Sequence, residues 1–461
     1  LTNFHDFVKT YDVRGLVGSQ LTDQVVECFG AAFADELELA GKKVAVGHDM
    51  RDSSPGFAAA FSAGATKRGA SVVMVGLCST DMNYFASGSM DMPSAMFTAS
   101  HNPASYNGIK FSRAGARGIS LDSGLAAIRD RAEAYLEAGI TPAETAGGIE
   151  DHDVMPGYVD YLLELVPLNQ VRPLKIVVDA ANGMGGLTVP AVLGKLIPLE
   201  IVPLYFELDG SFPNHEANPL DAKNLVDLQQ KVLEVGADLG LAFDGDADRC
   251  FAIDEKGQAV TPSALAAIVS KREIQRVQDL GEQHPTVLHN LLTSRFVAET
   301  ISASGANPVR TKVGHSLIKD KMAETEAVFG GEHSAHYYFR EFWGADNGML
   351  AAMHLISELG NSTLSMSEIS ASYTPYFASG EINSKVTDAT AATKRVELAL
   401  EEAASENFDG ITLSFEKGGV WWWCNIRESN TEPLLRLNVE SNSLEIMESV
   451  TARALAAIAG S

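Results

Sequence analysis

"KKVAVGHDMRDSSPGFAAAFSAGATKRGASVVMVGL", residues 42–77, decides the fold class. Two β-forming runs, KKVAVGHD (42–49) and SVVMVGL (71–77), flank the Ala-rich helical stretch GFAAAFSAGATKRG. A strand, a helix and a second strand in that order make a βαβ unit, whose strands share one sheet. The alternation recurs downstream: KIVVDAANG (175–183), ADLGLAF (237–243), TVLHNLL (286–292) and AVFGGE (327–332) read as strands between helical segments. The C-terminal part differs. TAATKRVELALEEAASE reads as helix, ITLSFE, VWWWCNIR and LLRLNVE as strands, and an Ala-rich helix closes the chain. The pattern predicts three similar α/β units followed by one small α+β unit. The Gly-, Pro- and Ala-rich AGITPAETAGGIE (138–150) marks one boundary, and softer ones lie near 252 and 366. The expected domains are therefore 1–147, 148–252, 253–366 and 367–461.

A chain of 461 residues exceeds what one hydrophobic core usually supports, which agrees with several domains. The formal charge of −25 repels nucleic acid, so any anion must be bound in a local basic pocket. No apolar run approaches the length of a membrane span, and LTNFHDFVKTYDVRG lacks a signal-peptide pattern. The chain begins at Leu1 rather than Met, which leaves room for a short preceding piece. Cys28, Cys78, Cys250 and Cys424 are scattered without a CxxC, as expected of reduced thiols and a cytoplasmic location.

"LAFDGDADRCFAID" carries the most specific site signal. Asp244, Asp246 and Asp248 sit at alternate positions between two strands, and such carboxylates suit a hard divalent cation like Mg²⁺. An EF-hand is excluded: Arg249 stands where the calcium loop needs glycine, and no flanking helices are evident.

"TASHNPASYNGIK" (98–110) supplies a hydroxyl, an imidazole and a lysine between two turns. Pro103 drives Asn102 out of helical geometry, so Ser100 is expected at an exposed turn, and YNG returns the chain towards it with Lys110. Serine needs a base or metal to act as a nucleophile, and His101 and Lys110 are the neighbouring acid/base candidates. Taken alone, these residues are equally good turn formers.

"RESNTEPLLRL" (427–437) places Arg427, Ser429, Asn430 and Thr431 between strands, as a planar fork and neutral donors suited to phosphate, or simply as a polar hairpin. "GGEHSAHYYF" (330–339) offers Glu332, His333, Ser334 and His336; the His pair lacks a third soft ligand for zinc, whereas Glu332 and Ser334 suit sugar hydroxyls. "TKVGHSLIKDKM" adds Lys312 and His315 on a glycine loop, where helix capping is an alternative reading of His315 and Ser316. There is no GxxxxGK[ST] loop, and DAANGMGGLT does not match GxGxxG, so nucleotide binding is not indicated.

Taken together, YDVRG, TASHNP, DGDADR, GEHSAH and RESNTEP, in this order along essentially the whole chain, resemble the α-D-phosphohexomutase family, nearest its bacterial phosphomannomutase/phosphoglucomutase branch. The resemblance implies three α/β domains with mixed sheets and a C-terminal α+β domain around a central cleft. It implies that Ser100 holds a transferable phosphate, and that Asp244, Asp246 and Asp248 bind Mg²⁺ together with phospho-Ser100. By the same resemblance His101 and Lys110 belong to the catalytic loop, with Lys110 a candidate general acid/base. Tyr11, Arg14 and Arg249 lie near the phosphoserine, and Lys312 and His315 face the reacting sugar. Glu332 and Ser334 contact sugar hydroxyls, and Arg427, Ser429, Asn430 and Thr431 grip the non-transferred phosphate.

The activity so implied is reversible phosphoryl transfer between the 6- and 1-positions of a mannose or glucose phosphate, with a hexose 1,6-bisphosphate as intermediate and activator. A phosphoglucosamine mutase and a metal-dependent sugar phosphatase using the same serine are the alternatives. His333 and Ala335 depart from the family's GEMSGH, which bears on sugar choice rather than on phosphoryl transfer. Hexose phosphates are the expected partners, with no nucleic acid and no membrane; the sequence does not specify an oligomeric state.

Overall fold

Four sheets, each built from a consecutive stretch of chain, organise the computed structural model, which describes residues 3–196, 198–428 and 434–460, apart from the side chains of His315 and Ser316. Strands Lys43–His48 and Ser71–Leu77 pair in parallel across helix Ser54–Lys67, as their sequences predict. Lys43–His48 also pairs in parallel with Ser94–Phe97, which runs antiparallel to Tyr106–Arg113; Val13–Leu16 forms the edge beyond. In the second sheet Leu239–Phe243 is parallel to Leu174–Asp179 and antiparallel to Cys250–Asp254. In the third, Phe329–Gly331 is parallel to Thr286–Asn290 and antiparallel to Tyr337–Phe339. The fourth sheet is antiparallel throughout.

The expected similarity of the three α/β units thus has a specific form. Each switches from parallel to antiparallel pairing across one turn, at residues 98–105, 244–249 and 332–336. A turn at the C-terminal end of a parallel strand faces the crevice in which open α/β sheets bind ligands. The serine loop, the aspartate loop and the GEHSAH loop therefore occupy equivalent places in three sheets.

Some expectations need correction. The helix read through 390–406 stops at Ala399, and Ala404–Asn407 is an edge strand. The reason is the turn that follows: Gly410, at φ +68°, closes a hairpin onto Ile411–Lys417, and strand pairing overrides the helical propensity of EEAASE. The sheets also run past the expected boundaries. Ile149–Asp151 pairs with Ser71–Leu77 of the first sheet, and residue 252 lies inside strand Cys250–Asp254. Helix Met366–Ala371 buries Met366 and Ile369 in the core of the third unit, beyond residue 366. Both segments do follow a turn or cap signal, Gly147–Gly148 before Ile149 and the Ser365/Glu368 capping box at Met366. Such signals mark a break without saying which sheet or core the next segment joins.

The first unit has a core rich in phenylalanine, including Phe29, Phe33, Phe61, Phe97 and Phe111. The second and third units share a continuous core, whereas the fourth buries its own. Helices Asp23–Glu36 and Ser54–Lys67 approach at two glycines. A Cβ on Gly30 would lie 2.0 Å from the Phe61 carbonyl oxygen, and one on Gly64 would lie 1.9 Å from that of Glu27. Gly64→Ala must therefore push the helices apart. It is expected to cost about 2 kcal/mol, read as a lowered midpoint of thermal unfolding.

Candidate active site

Ser100 follows strand Ser94–Phe97 in the left-handed region, at φ +48°. The conformation is costly for a residue with a Cβ and persists only where the surroundings enforce it. Arg51 enforces it. Its guanidinium donates to four carbonyls of the serine loop: Nη2 to Ser100 (2.9 Å) and Asn102 (2.7 Å), Nη1 to Pro103 (2.9 Å) and Tyr106 (3.0 Å). Its Nε faces Asp49 Oδ2 at 3.2 Å, and both residues are buried. The Ser100 amide donates to Thr98 Oγ1 at 2.9 Å, and Gly245 lets the second unit approach, since a Cβ there would lie 2.4 Å from the Ser100 carbonyl oxygen.

Ser100 is 5% exposed, so the expectation of an exposed serine is corrected: the loop turns inward, into a cleft of about 760 Å³. Its hydroxyl donates to Asp244 Oδ2 at 2.8 Å and lies 3.1 Å from His101 Nδ1. Arg249 joins the same group, with Nε 2.9 Å from Asp244 Oδ2 and Nη2 donating to His101 Nδ1 at 2.6 Å. Burial, followed by the Arg249 and Arg14 charges, holds the His101 imidazole well below its ordinary value, hence neutral. Arg14 braces the loop from the other side, on Asn102 Oδ1 and Asp12 Oδ2, each at 2.6 Å.

Asp244, Asp246 and Asp248 are buried and place one oxygen each within 4.8 Å of one another. Lys110 Nζ reaches Asp246 Oδ2 at 2.7 Å and Asp248 Oδ2 at 2.6 Å, and Thr80 Oγ1 donates to Asp246 Oδ2 at 2.5 Å. Three carboxylates thus face two cations, Lys110 and Arg249. Burial, opposed by Arg249 and reinforced by Asp248 and Asp246, pushes the Asp244 carboxyl up to about 7. Burial acts on Asp246 too, but Lys110 outweighs it and keeps that group below the carboxylate range. The two carboxylates in turn overcome burial at Lys110 and raise its ammonium well above the ordinary value. Asp246 Oδ1 and Asp248 Oδ1 are buried without a hydrogen-bond partner. Unsatisfied carboxylate oxygens in a cluster with excess negative charge fit a hard divalent cation.

The GEHSAH loop closes the cleft from the third unit. Arg249 and His336 form a backbone bridge, so the aspartate and GEHSAH loops are joined main chain to main chain. Glu332 accepts from Tyr338 Oη at 2.6 Å, and Ser334 Oγ lies 3.1 Å from His336 Nδ1. His336 Nε2 lies 3.8 Å from Asp248 and 3.9 Å from Asp346, whose other oxygen is 2.8 Å from the buried Lys319.

Of the residues expected in the site, Tyr11, Arg14, Ser100, His101, Lys110, Asp248 and Arg249 line one cleft, with Asp244 and Asp246 bonded to its wall. Glu332 and Ser334 adjoin it through His336. Lys312 is not in its wall; it is exposed, beside the Phe408 ring. Nor is Arg427, which pairs with Glu381 at 3.0 Å while its Nε is buried without a partner. His315 opens helix His315–Thr325, but its side chain lies outside the described set, as do Ser429, Asn430 and Thr431 altogether. Arg51, Thr80, Tyr84 and Asp346 were not among the expected residues, and His336 was named from the sequence without a role in the site. Only His336 had a sequence signal, standing four residues after Glu332.

Among the described residues no helix is long and apolar enough to cross a membrane. The chain matches four successive families described as phosphoglucomutase/phosphomannomutase: alpha/beta/alpha domain I over residues 6–138, domain II over 156–257, domain III over 261–376 and the C-terminal domain over 381–457. It is 40% identical over 439 residues to the phosphohexose mutases of Xanthomonas campestris pv. campestris, covering 94% of both chains. It is 36% identical over 459 residues to the phosphomannomutase of Salmonella typhimurium, covering 97% of this chain and 98% of that one. A solved phosphoglucomutase/phosphomannomutase family protein from Burkholderia thailandensis superposes with a TM-score of 0.86 at 28% identity, over 98% of this chain and 97% of that one. With the serine, aspartate and GEHSAH loops converging on one cleft, the chain belongs to the phosphoglucomutase/phosphomannomutase family and is an isomerase of the phosphohexomutase type.

Proposed function

We propose that this enzyme moves a phosphoryl group between the 6- and 1-positions of a hexose phosphate, mannose or glucose, by way of phosphorylated Ser100. The observation that carries this reading is the Ser100 hydroxyl 2.8 Å from Asp244, on a loop that Arg51 holds in one shape. In the forward half-reaction the Oγ–phosphorus bond of phospho-Ser100 breaks as a bond forms from a sugar hydroxyl oxygen to phosphorus. The hydroxyl proton passes to a base of the cleft, for which His336 stands beside Asp248 and Asp346. A proton is returned to the departing Ser100 Oγ, so that the half-reaction leaves the free serine hydroxyl. Lys110, the acid/base candidate of the sequence, is instead paired with Asp246 and Asp248. The resulting 1,6-bisphosphate then returns its other phosphoryl group to Ser100. Asp244, Asp246 and Asp248, with an oxygen of phospho-Ser100, would hold Mg²⁺, which would polarise that oxygen as a Lewis acid. Lys110 and Arg249 place fixed positive charge where phosphoryl charge redistributes, and such preorganised charge dominates transfers of this kind.

Either phosphate of the bisphosphate must be held while the other reacts, so the distal site has to recognise phosphate rather than a sugar carbon. Arg427, with a buried donor unfilled, suits that task. Arg427→Ala is expected to raise KM at least about tenfold with kcat changed far less, the signature of a lost ground-state anchor. An unchanged KM in steady-state kinetics would contradict the anchor role.

A coupled assay with mannose, glucose and glucosamine 6-phosphates, with and without Mg²⁺, tests the reading. Interconversion with phosphate conserved, stimulated by a hexose 1,6-bisphosphate, is expected for mannose and glucose. Release of inorganic phosphate would instead identify a phosphatase.

A further inference from the structure

The loop at residues 312–314 is set by carboxylates from two different units. The Val313 amide donates to Asp409 Oδ2 of the fourth unit at 2.8 Å, and the next amide, Gly314, points to Glu332 Oε1 of the third at 3.4 Å. Gly314 sits at φ +136°, and a Cβ there would lie 2.8 Å from the Tyr11 hydroxyl of the first unit. Burial, then Asp409 and Glu332, push the Tyr11 phenol above its ordinary value, as expected if the three groups crowd one loop. The hairpin that carries Asp409 is in turn seated on the strand end bearing Arg427. Asn425 Nδ2 donates to the Asp409 main-chain carbonyl oxygen at 3.1 Å, and a Cβ on Gly410 would lie 2.7 Å from that of Arg427. Two adjacent cation–ring contacts, of Arg310 (5.0 Å) and Lys312 (5.8 Å) with Phe408, fix the same hairpin to the third unit.

We propose that Asp409 is a positioning residue, which holds the Lys312–His315 loop in register with the Arg427 end of the fourth unit. The inference rests on the roles proposed above for the sugar loop and the phosphate anchor. The third and second units share one core while the fourth has its own, so the fourth is placed by surface contacts, among them the Asp409 bond and the rings of Phe296, Tyr376 and Trp421. Among the described residues, Asp409 supplies the contact from the fourth unit that reaches the loop main chain between Lys312 and His315. When the fourth unit holds a phosphate, the loop is thereby presented to the sugar attached to it.

Asp409→Ala and Asp409→Asn separate this from a general loss of stability, since the Asn amide oxygen can still accept from Val313. Asp409→Ala is expected to lower kcat about tenfold with KM within about twofold, because orientation is lost while the phosphate anchor stays. Asp409→Asn is expected to restore most of kcat. Hydrogen exchange at the Val313 amide, read without substrate, is expected to speed up about tenfold or more in the Ala variant and little in the Asn variant. Unchanged exchange in the Ala variant, or kcat equally reduced in both, would overturn the assignment. Failure of the phosphate-anchor reading would show instead as an unchanged KM in Arg427→Ala, with the exchange result unaffected.

Discussion

Replacing Ser100 by alanine is expected to abolish turnover, by at least about 10⁴-fold, while hexose phosphate binding stays within a few-fold of the parent. The two halves of this expectation follow from different parts of the structure. Ser100 Oγ is the hydroxyl bonded to the aspartate cluster and lies beside His101, so its loss removes the atom on which the phosphoryl group would reside. The loop does not depend on that atom for its shape. Arg51 holds four of its carbonyls and Thr98 holds the Ser100 amide, and alanine preserves all of these bonds. Calorimetric binding of a hexose phosphate beside a coupled turnover assay checks both halves. Near-parental turnover in Ser100→Ala would exclude the serine as phosphoryl carrier.

The second large effect is expected at Arg51, which does not itself line the cleft. Arg51→Ala removes four donors from the serine loop and leaves Asp49 buried without its cation. Breaking a buried ion pair from one side costs about 3–5 kcal/mol, and denaturant unfolding should show a loss of that size. Arg51→Lys separates the two consequences. A lysine keeps a charge near Asp49, but its compact ammonium cannot reproduce the planar fork that reaches Ser100, Asn102, Pro103 and Tyr106. Stability should then fall much less than in the alanine variant, while kcat drops by about 100-fold as Ser100 leaves its enforced left-handed conformation. Equal losses of stability in both variants, with kcat intact in Arg51→Lys, would show that Arg51 serves the fold and not the site.

The parts of this architecture that were legible in the sequence are those governed by local pattern. Residues 42–77 form the parallel pair and intervening helix that their alternation predicts, and Asp244–Asp248 form a turn between strands as their flanking apolar runs require. What escaped depends on distant partners. Arg51 looks like one residue of a helix approach, yet its acceptors lie roughly fifty positions downstream, on a loop it reaches only once the sheet is formed. Thr80 and Lys319 likewise acquire a role only through Asp246 and Asp346, which other strands deliver. Ser100 was misjudged for a related reason: Asn-Pro chemistry predicts a turn but says nothing of what covers it, and here Gly245 and Asp244 of the second unit do. The edge strand Ala404–Asn407 shows the converse case, in which helix-forming residues are recruited by a hairpin whose Gly410 packs on Arg427.

The central claim is that Ser100 carries the phosphoryl group that the sugar gains and returns. Labelling the enzyme's phosphate, digesting it and following the label through a single turnover with unlabelled hexose phosphate tests this directly. The label should reside on the peptide containing Ser100 and move to a hexose bisphosphate at least as fast as overall turnover. Label on another peptide, or its appearance as inorganic phosphate before any bisphosphate forms, would contradict the account.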